Sequence, residues 1–490
     1  LHIGQQMPVI GLVDVHHLLH RRTGQADLVA HHASALGHPL SDVDQLDLVG
    51  IHHIDPRIAV GQRVNGHPAA LGLRQLGGKL RTDRIIQHSV KSPHFFDRRS
   101  CPAPGQFYNV FYMTVQEYDV VVVGSGGAGM VAALTAAHQG LSTVVVEKAP
   151  HYGGSTARSG GGVWIPNNEI LERDGVSDTP EAARTYLHSI IGDVVEPERI
   201  DTYLERGPEM LSFVLRNSPL KMCWVPGYSD YYPEAPGGRP AGRSIEPKPF
   251  NARKLGPDEA GLEPAYGKVP LNVVVMQQDY VRLNQLKRHP RGVLRSLKVG
   301  ARTMWAGMRG KNLVGMGRAL IAPLRIALRE AGVPVLLNTA LTDLFVEDGV
   351  VRGIYVRDMT GPEAADPQLI RARRGVILGS GGFEHNEQMR VKYQRAPITT
   401  EWTVGAVANT GDGIVAAEKL GAALDLMEDA WWGPTVPLVG APWFALSERN
   451  SPGSIIVNLA GKRFMNESMP YVEACHHMYG GQYGQGSGPG

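Results

Sequence analysis

The first sustained hydrophobic pattern in the chain begins at residue 119. Asp119 is followed by four valines, residues 120–123, and this β-branched run predicts a buried strand. It stops at Gly124-Ser125-Gly126-Gly127-Ala128-Gly129, after which the alanine-rich residues 130–139 predict a helix. Residues 141–146 predict a second strand, which ends on Glu147. Much later, two apolar runs at 341–346 and 350–356 flank Asp348-Gly349, a turn dipeptide, and predict a β-hairpin. Residues 374–378 predict a strand running into Gly379, Gly381 and Gly382, and residues 414–420 a helix that follows Asn409-Thr410-Gly411-Asp412-Gly413. Strand, glycine turn, helix, strand is the opening of an α/β fold with a doubly wound, Rossmann-like sheet. Residues 1–112 sustain neither a helical nor an alternating period and contain no repeat.

Composition divides the chain at the same place. Of its 19 histidines, 12 fall within residues 1–112, together with 9 Arg, 2 Lys, 8 Asp and no Glu. From Met113 onward acids and bases nearly balance. The expectation is that Met113 is the true start and that residues 1–112 are a non-native or disordered leader. The clusters His16, His17, His20 and His31, His32, His38 match no metal motif, so no metal is expected. A formal net charge of +2 gives no electrostatic case for nucleic acid. Cys101, Cys223 and Cys475 are too few and too scattered for a disulfide framework, which fits a reducing cytoplasm. No apolar run approaches the roughly 18–20 residues of a membrane span. The chain is therefore expected to be cytoplasmic, at most peripheral to the inner face of the cell membrane. Its 59 glycines in 490 residues exceed the usual share of about 7% and point to tight turns and close approaches of backbone to a ligand.

The first glycine loop has the spacing of a dinucleotide fingerprint, and its context makes the signal specific. Gly124, Gly126, Gly127 and Gly129 allow a tight turn and close approach to a pyrophosphate, with Ser125 among them, and the helix that follows offers unpaired N–H groups. Glu147, 23 residues past Gly124, lies where a carboxylate accepts ribose hydroxyls and repels a 2′-phosphate, which disfavours NADP. NAD and FAD both remain compatible with this half-site. Lys148 and a second small, hydroxyl-rich loop, Gly153-Gly154-Ser155-Thr156 and Ser159-Gly160-Gly161-Gly162, favour FAD, whose longer ribityl chain and flat ring need further backbone amides. With Gly381, Gly382 and Asn409-Thr410-Gly411-Asp412 downstream, the order of motifs resembles the fumarate reductase and succinate dehydrogenase flavoprotein superfamily.

Within that superfamily the chain is similar to the 3-ketosteroid Δ1-dehydrogenases. The resemblance rests on the first glycine loop, Asp230-Tyr231-Tyr232, Gly242-Arg243-Ser244, Asn409 to Gly413 and Asn466-Glu467-Ser468-Met469-Pro470-Tyr471, and it covers residues 113–490 only. It implies FAD-dependent 1,2-dehydrogenation of a 3-ketosteroid, in which a proton leaves C2, a hydride passes from C1 to flavin N5, and a quinone or other acceptor takes the electrons. It also implies Tyr471 as the base and Tyr231 as its assisting neighbour. A free phenol, with a pKa near ~10, is mostly protonated at neutral pH, so a donor to the forming phenolate lowers the cost of using it. Tyr232 is expected to pack, and Trp431, Trp432 and Trp443 either to line an apolar steroid cavity or to sit in the core. The alternatives are a 3-ketosteroid Δ4-dehydrogenase, a fumarate-reductase-like flavin oxidoreductase and a flavin-less fragment.

The resemblance implies a discontinuous architecture: a flavin domain at 113–218 and 312–430, and an α+β substrate (capping) domain at 219–311 and 431–490. It also implies a C-terminal segment with a third flavin contact and with donors to the C3 carbonyl, for which this chain shows no counterpart. An activity loss follows as an expectation, since one such donor is worth ~10²–10³ in rate. Between residues 280 and 311 the chain carries Arg282, Lys287, Arg288, Arg291, Arg295, Lys298, Arg302, Arg309 and Lys311 without an acid, interleaved with apolar residues. This stretch is expected either to lie against anionic lipid or to form a solvated helical face.

Overall fold

The computed structural model describes residues 116–267, 273–283, 289–362, 366–438, 441–451 and 453–480. The expectations for residues 1–112, Lys287 and Arg288 lie outside the described residues. The elements that place the site are, in chain order, β1 (Gln116–Val123), α1 (Gly127–His138), β2 (Thr143–Val146), α2 (Pro290–Met308), α3 (Met316–Glu330), β3 (Val335–Leu336), β4 (Thr339–Glu347), β5 (Val350–Asp358), β6 (Gln368–Leu378), α4 (Asp412–Glu418) and α5 (Tyr471–Met478).

Six strands form one sheet in the order β3-β2-β1-β6-β5-β4. The strands β3, β2, β1 and β6 run parallel, and β5 and β4 are attached antiparallel at one edge. Alternation along the valine run explains why both faces are covered. Val120 and Val122 point to a core shared with Met130, Ala133 and Leu134 of α1 and with Ile321, Leu324 and Leu328 of α3. Val121 and Val123 point the other way, to Leu341, Ile354, Ile370 and Ala416 of α4. Valines 121, 122, 144, 145 and 146 are completely buried, and each fully buried side chain of this size stabilises by about 1.5–3 kcal/mol. A continuous apolar strand with helices on both faces is the buried parallel arrangement. The expected hairpin is present, with Asp348 and Gly349 both at positive φ, 53° and 75°, as a two-residue type I′ turn requires.

The crossing of β1, α1 and β6 is tight. Gly124 turns the chain at φ 98°. A Cβ on Gly129 would stand 2.0 Å from the carbonyl oxygen of Gly124, and a Cβ on Gly124 would stand 2.3 Å from that of Gly379. The third glycine of the fingerprint is therefore a packing requirement: any side chain there drives α1 away from the loop that starts it. At its far end α1 stops at Gly140, φ 78°, where the Leu141 N–H reaches back to the Ala136 carbonyl and closes the helix. We expect Gly129→Ala to lower the melting temperature by several degrees and to strip the purified protein of flavin absorbance, as read by thermal denaturation and visible spectroscopy.

Candidate active site

Three loops meet at the carboxyl ends of β1, β2 and β6. Glu147 sits where β2 ends and is buried. Its Oε2 accepts from the Ser125 N–H at 3.0 Å and the Ser125 hydroxyl at 2.6 Å, and its Oε1 accepts from the Ala149 N–H at 2.9 Å. Ser125 Oγ in turn accepts from the Gly153 N–H at 3.1 Å, so one carboxylate braces the first glycine loop against the second. A carboxylate has about four lone-pair sites, and the fourth here, on Oε1, is left for another donor. Thr156 Oγ1 accepts from the Gly127 N–H at 3.1 Å. Gly126, the residue that caps α1, makes no side-chain cap bond, and a Cβ there would meet only Thr156 Oγ1, at 3.6 Å. The helix thus presents unspent N–H groups and bare backbone, which fits a diphosphate.

The downstream motifs close the other side. Lys148 Nζ donates to Thr410 Oγ1 and pairs with Asp412 at 2.6 Å, joining the end of β2 to the loop before α4. Ser155 Oγ accepts from the Ala406 N–H at 2.9 Å and from Asn409 Nδ2 at 3.0 Å, and Gly411 N–H donates to the Gly382 carbonyl at 3.0 Å. Gly381, Gly382, Asn409, Thr410, Gly411 and Asp412 therefore lie beside Gly154, Ser155 and Thr156. Ser159 bonds Thr156 and Gly161 within its own loop, while a Cβ on Gly154 or Gly160 would meet nothing within 4 Å. Two members of the cradle carry no local sequence signal. Glu384 accepts from Asn409 at 2.8 Å, and Gly317 of α3 lies so close that a Cβ would stand 1.9 Å from the Thr156 carbonyl.

The loop at 228–243 is held from within by Arg243, which is fully buried. Its guanidinium pairs with Asp178 at 2.7 and 3.0 Å, pairs with Asp230, and donates to the Gly237 carbonyl at 3.0 Å. Asp230 also accepts from Trp164 Nε1 at 2.9 Å and from the Arg239 and Arg243 N–H groups. Gly242 at φ 60° is obligatory here, because a Cβ would stand 1.8 Å from the Tyr228 carbonyl oxygen. Trp164 follows the second glycine loop directly, so the flavin cradle and the tyrosine loop share this anchor.

Tyr231 and Tyr471, 240 residues apart, meet at the mouth of this region. The Tyr231 hydroxyl donates to the Tyr471 oxygen at 2.9 Å, with the rings edge to face at 5.4 Å. Trp431 Nε1 is a second donor to the same oxygen, also at 2.9 Å. Surrounding protein, then the neighbouring phenols Tyr228 and Tyr471, hold the Tyr231 hydroxyl well above the ordinary tyrosine range, so it keeps its proton and can only donate to a phenolate. Tyr471 is the first residue of α5, where the helix dipole favours negative charge. The expectation for Tyr232 needs revision. Its hydroxyl donates to Glu473 of α5 at 2.9 Å, so adjacent tyrosines both tie their loop to the helix that bears Tyr471. Of the tryptophans, Trp431 is 86% exposed while Trp443 stacks on Tyr266.

A Rossmann-like sheet, a brace of glycine loops with an uncapped helix, and a phenol pair beside it define a flavoprotein oxidoreductase. The family model described as FAD binding domain matches residues 119–486. The chain is 86% identical over 381 residues to 3-oxosteroid 1-dehydrogenase of Mycobacterium tuberculosis, covering 78% of this chain and 67% of that one. To the Mycolicibacterium smegmatis protein of the same name it is 87% identical, with the same coverage. The crystal structure of 3-ketosteroid delta1-dehydrogenase from Sterolibacterium denitrificans, in complex with 1,4-androstadiene-3,17-dione, superposes with a TM-score of 0.69 at 39% identity, covering 74% of this chain and 66% of that one. This chain thus belongs to the 3-oxosteroid 1-dehydrogenases of the FAD binding domain family and spans about two thirds of the length of these relatives. FAD is the cofactor, and the cradle residues fit it.

Breaking a buried ion pair leaves an uncompensated charge and costs about 3–5 kcal/mol. We expect Arg243→Gln to lose a stability of that order in urea denaturation and to weaken the Tyr231–Tyr471 contact along with it.

Proposed function

We propose that the chain carries out the 1,2-dehydrogenation of 3-ketosteroids, with the Tyr471 phenolate as the base for the C2 proton and Tyr231 as the donor that stabilises that phenolate. The observation that carries the reading is the hydrogen bond from Tyr231 to Tyr471, doubled by Trp431 on the same oxygen. Two donors on one phenol oxygen spread the charge that forms when its proton departs. Charge-assisted bonds of this kind are about twice as strong as neutral ones, so the arrangement favours the phenolate more than the phenol. Bound FAD supplies the acceptor for the hydride lost from C1. The glycine loops and Asn409 would hold it, and Lys148 with Asp412 would keep the loops closed around it. Loss of a proton from C2 and a hydride from C1 leaves the 1,2 double bond. Each turnover then needs an external electron acceptor, for which a quinone is our candidate.

The basic stretch supports a peripheral membrane contact. In α2 only Gly292, Val299 and Ala306 are buried, whereas Leu294, Leu297, Met304 and Met308 are each about two thirds exposed and recur at helical spacing. Arg295 and Arg302 turn inward to Asp279, while exposed Arg291 and Lys298 remain beside the apolar stripe. Among the described residues no helix is long and apolar enough to cross a membrane. A stripe lying flat in an anionic headgroup layer accommodates both features.

Solvent exchange at C2 of androst-4-ene-3,17-dione requires the base and not the hydride acceptor, so it tests the assignment directly. Tyr471→Phe should abolish exchange in deuterium oxide followed by NMR, and Tyr231→Phe should slow it by about 10²–10⁴-fold, the range of acid–base assistance. Unchanged exchange in Tyr471→Phe overturns the assignment, and formation of a Δ4 product from a saturated ring overturns the regiochemistry. For the membrane reading, co-sedimentation with phosphatidylglycerol vesicles should fall sharply in the Leu294→Glu, Leu297→Glu variant and with added salt.

A further inference from the structure

Arg449 ends the short helix Leu446–Arg449 and is 2% exposed. Its Nη1 donates to the carbonyls of Glu467 at 2.6 Å and Met469 at 2.7 Å, within the segment that leads to Pro470 and Tyr471. Its Nε is buried with no partner, and among the described residues no carboxylate lies within ion-pair distance of it. Glu448, the preceding residue, accepts from Trp443 Nε1 at 3.1 Å, and the Glu467 carboxylate is held by Arg463 at 2.6 Å and by the Ile456 N–H at 2.8 Å, which keep its pKa down at about 2. The other acid on this side, Glu473, accepts from Tyr232. The titratable groups that act on the guanidinium are one thiol and three phenols: Cys475, Tyr228, Tyr231 and Tyr471. Burial pushes Cys475 up to about 12 and Tyr228 and Tyr231 above the usual phenol range, so those three stay protonated.

A buried cation with no anion beside it is costly, so an anion that forms next to it is stabilised. We propose that Arg449 is a positioning residue for Tyr471: it fixes the backbone that presents this phenol, and its unpaired charge is the counter-ion for the Tyr471 phenolate, the form that takes the C2 proton and returns to the phenol. The inference rests on Tyr471 being the base. It adds a group that touches neither steroid nor flavin and that reaches the chemistry only through Tyr471. Arg243 supplies the contrast, since its charge is already neutralised by Asp178 and Asp230 and has none to offer.

The test is an ultraviolet difference titration of the flavin-loaded chain, reading the tyrosinate component that Tyr471→Phe lacks. Gln at position 449 keeps an N–H donor for the carbonyls and removes the charge; Lys keeps the charge. R449Q should move that component upward by about one pH unit or more, equivalent to at least a tenfold loss of phenolate at fixed pH. R449K should stay within a few tenths of a unit of the parent chain. Identical titration of R449Q and parent overturns the proposal, as does an equal shift in R449K. Flavin loss in R449K with retention in R449Q overturns it too, because it would make the role one of fit and not of charge. Because the readout is the ionisation itself, an active Tyr471→Phe enzyme would remove the base assignment without altering what the titration says of Arg449.

Discussion

The arrangement of this site depends on one fully buried guanidinium. Arg243 has no solvent to compensate for its lost hydration, so every N–H must find an acceptor inside the protein. Asp178 takes two, Asp230 a third and the Gly237 carbonyl a fourth. The planar fork of arginine can reach two carboxylates from different segments at once, which the point charge of a lysine cannot do in fixed geometry. Because Asp230 immediately precedes Tyr231, satisfying the arginine also sets where the Tyr231 phenol begins. The Trp164 and Tyr186 rings lie against the same guanidinium, with centroids at 5.8 and 5.5 Å, and exclude water from it.

The flavin-binding half of the molecule was largely legible in the sequence because its signals are local. Four consecutive valines must alternate between two faces, and both faces must be covered, which already implies helices above and below a parallel sheet. Glycines at 124 and 129 answer to a clash that any side chain would create, so their spacing carries the geometry. The acid at 147 follows from the end of β2. Other residues of the cradle are set by tertiary proximity alone. Glu384 meets Asn409 across 25 residues, and Gly317 meets the second glycine loop from a helix more than 150 residues downstream. No periodicity marks either of them.

The phenol pair lies between these cases. Tyr231 and Tyr471 were legible through resemblance of their motifs, not through any spacing, since nothing in a separation of 240 residues predicts contact. Trp431, expected either to wall an apolar cavity or to sit in the core, is 86% exposed and its indole N–H bonds Tyr471, because a tryptophan combines an apolar body with one directed donor. Tyr232 likewise does more than pack. Two neighbouring residues in a loop rarely serve one helix, but the loop here runs along α5, so Tyr231 reaches its first residue and Tyr232 its third. The second bond keeps the first in register: if the loop slid along α5, the Tyr232 bond to Glu473 would have to break together with the phenol pair.

The two buried arginines then divide the electrostatics of the site between structure and chemistry. A guanidinium matched by carboxylates is neutral to its surroundings and is suited to hold a loop. One bonded only to backbone carbonyls projects its charge onto whatever is near, and near Arg449 that is a cluster of phenols and a thiol. Were Arg449 paired with Glu467, the phenolate would form without a nearby counter-charge and next to a carboxylate. The ion pair between Arg463 and Glu467, exposed at the arginine and buried at the acid, therefore bears on the proposed role of Arg449. It keeps the Glu467 carboxylate away from Arg449, whose charge the proposed role assigns to the Tyr471 phenolate.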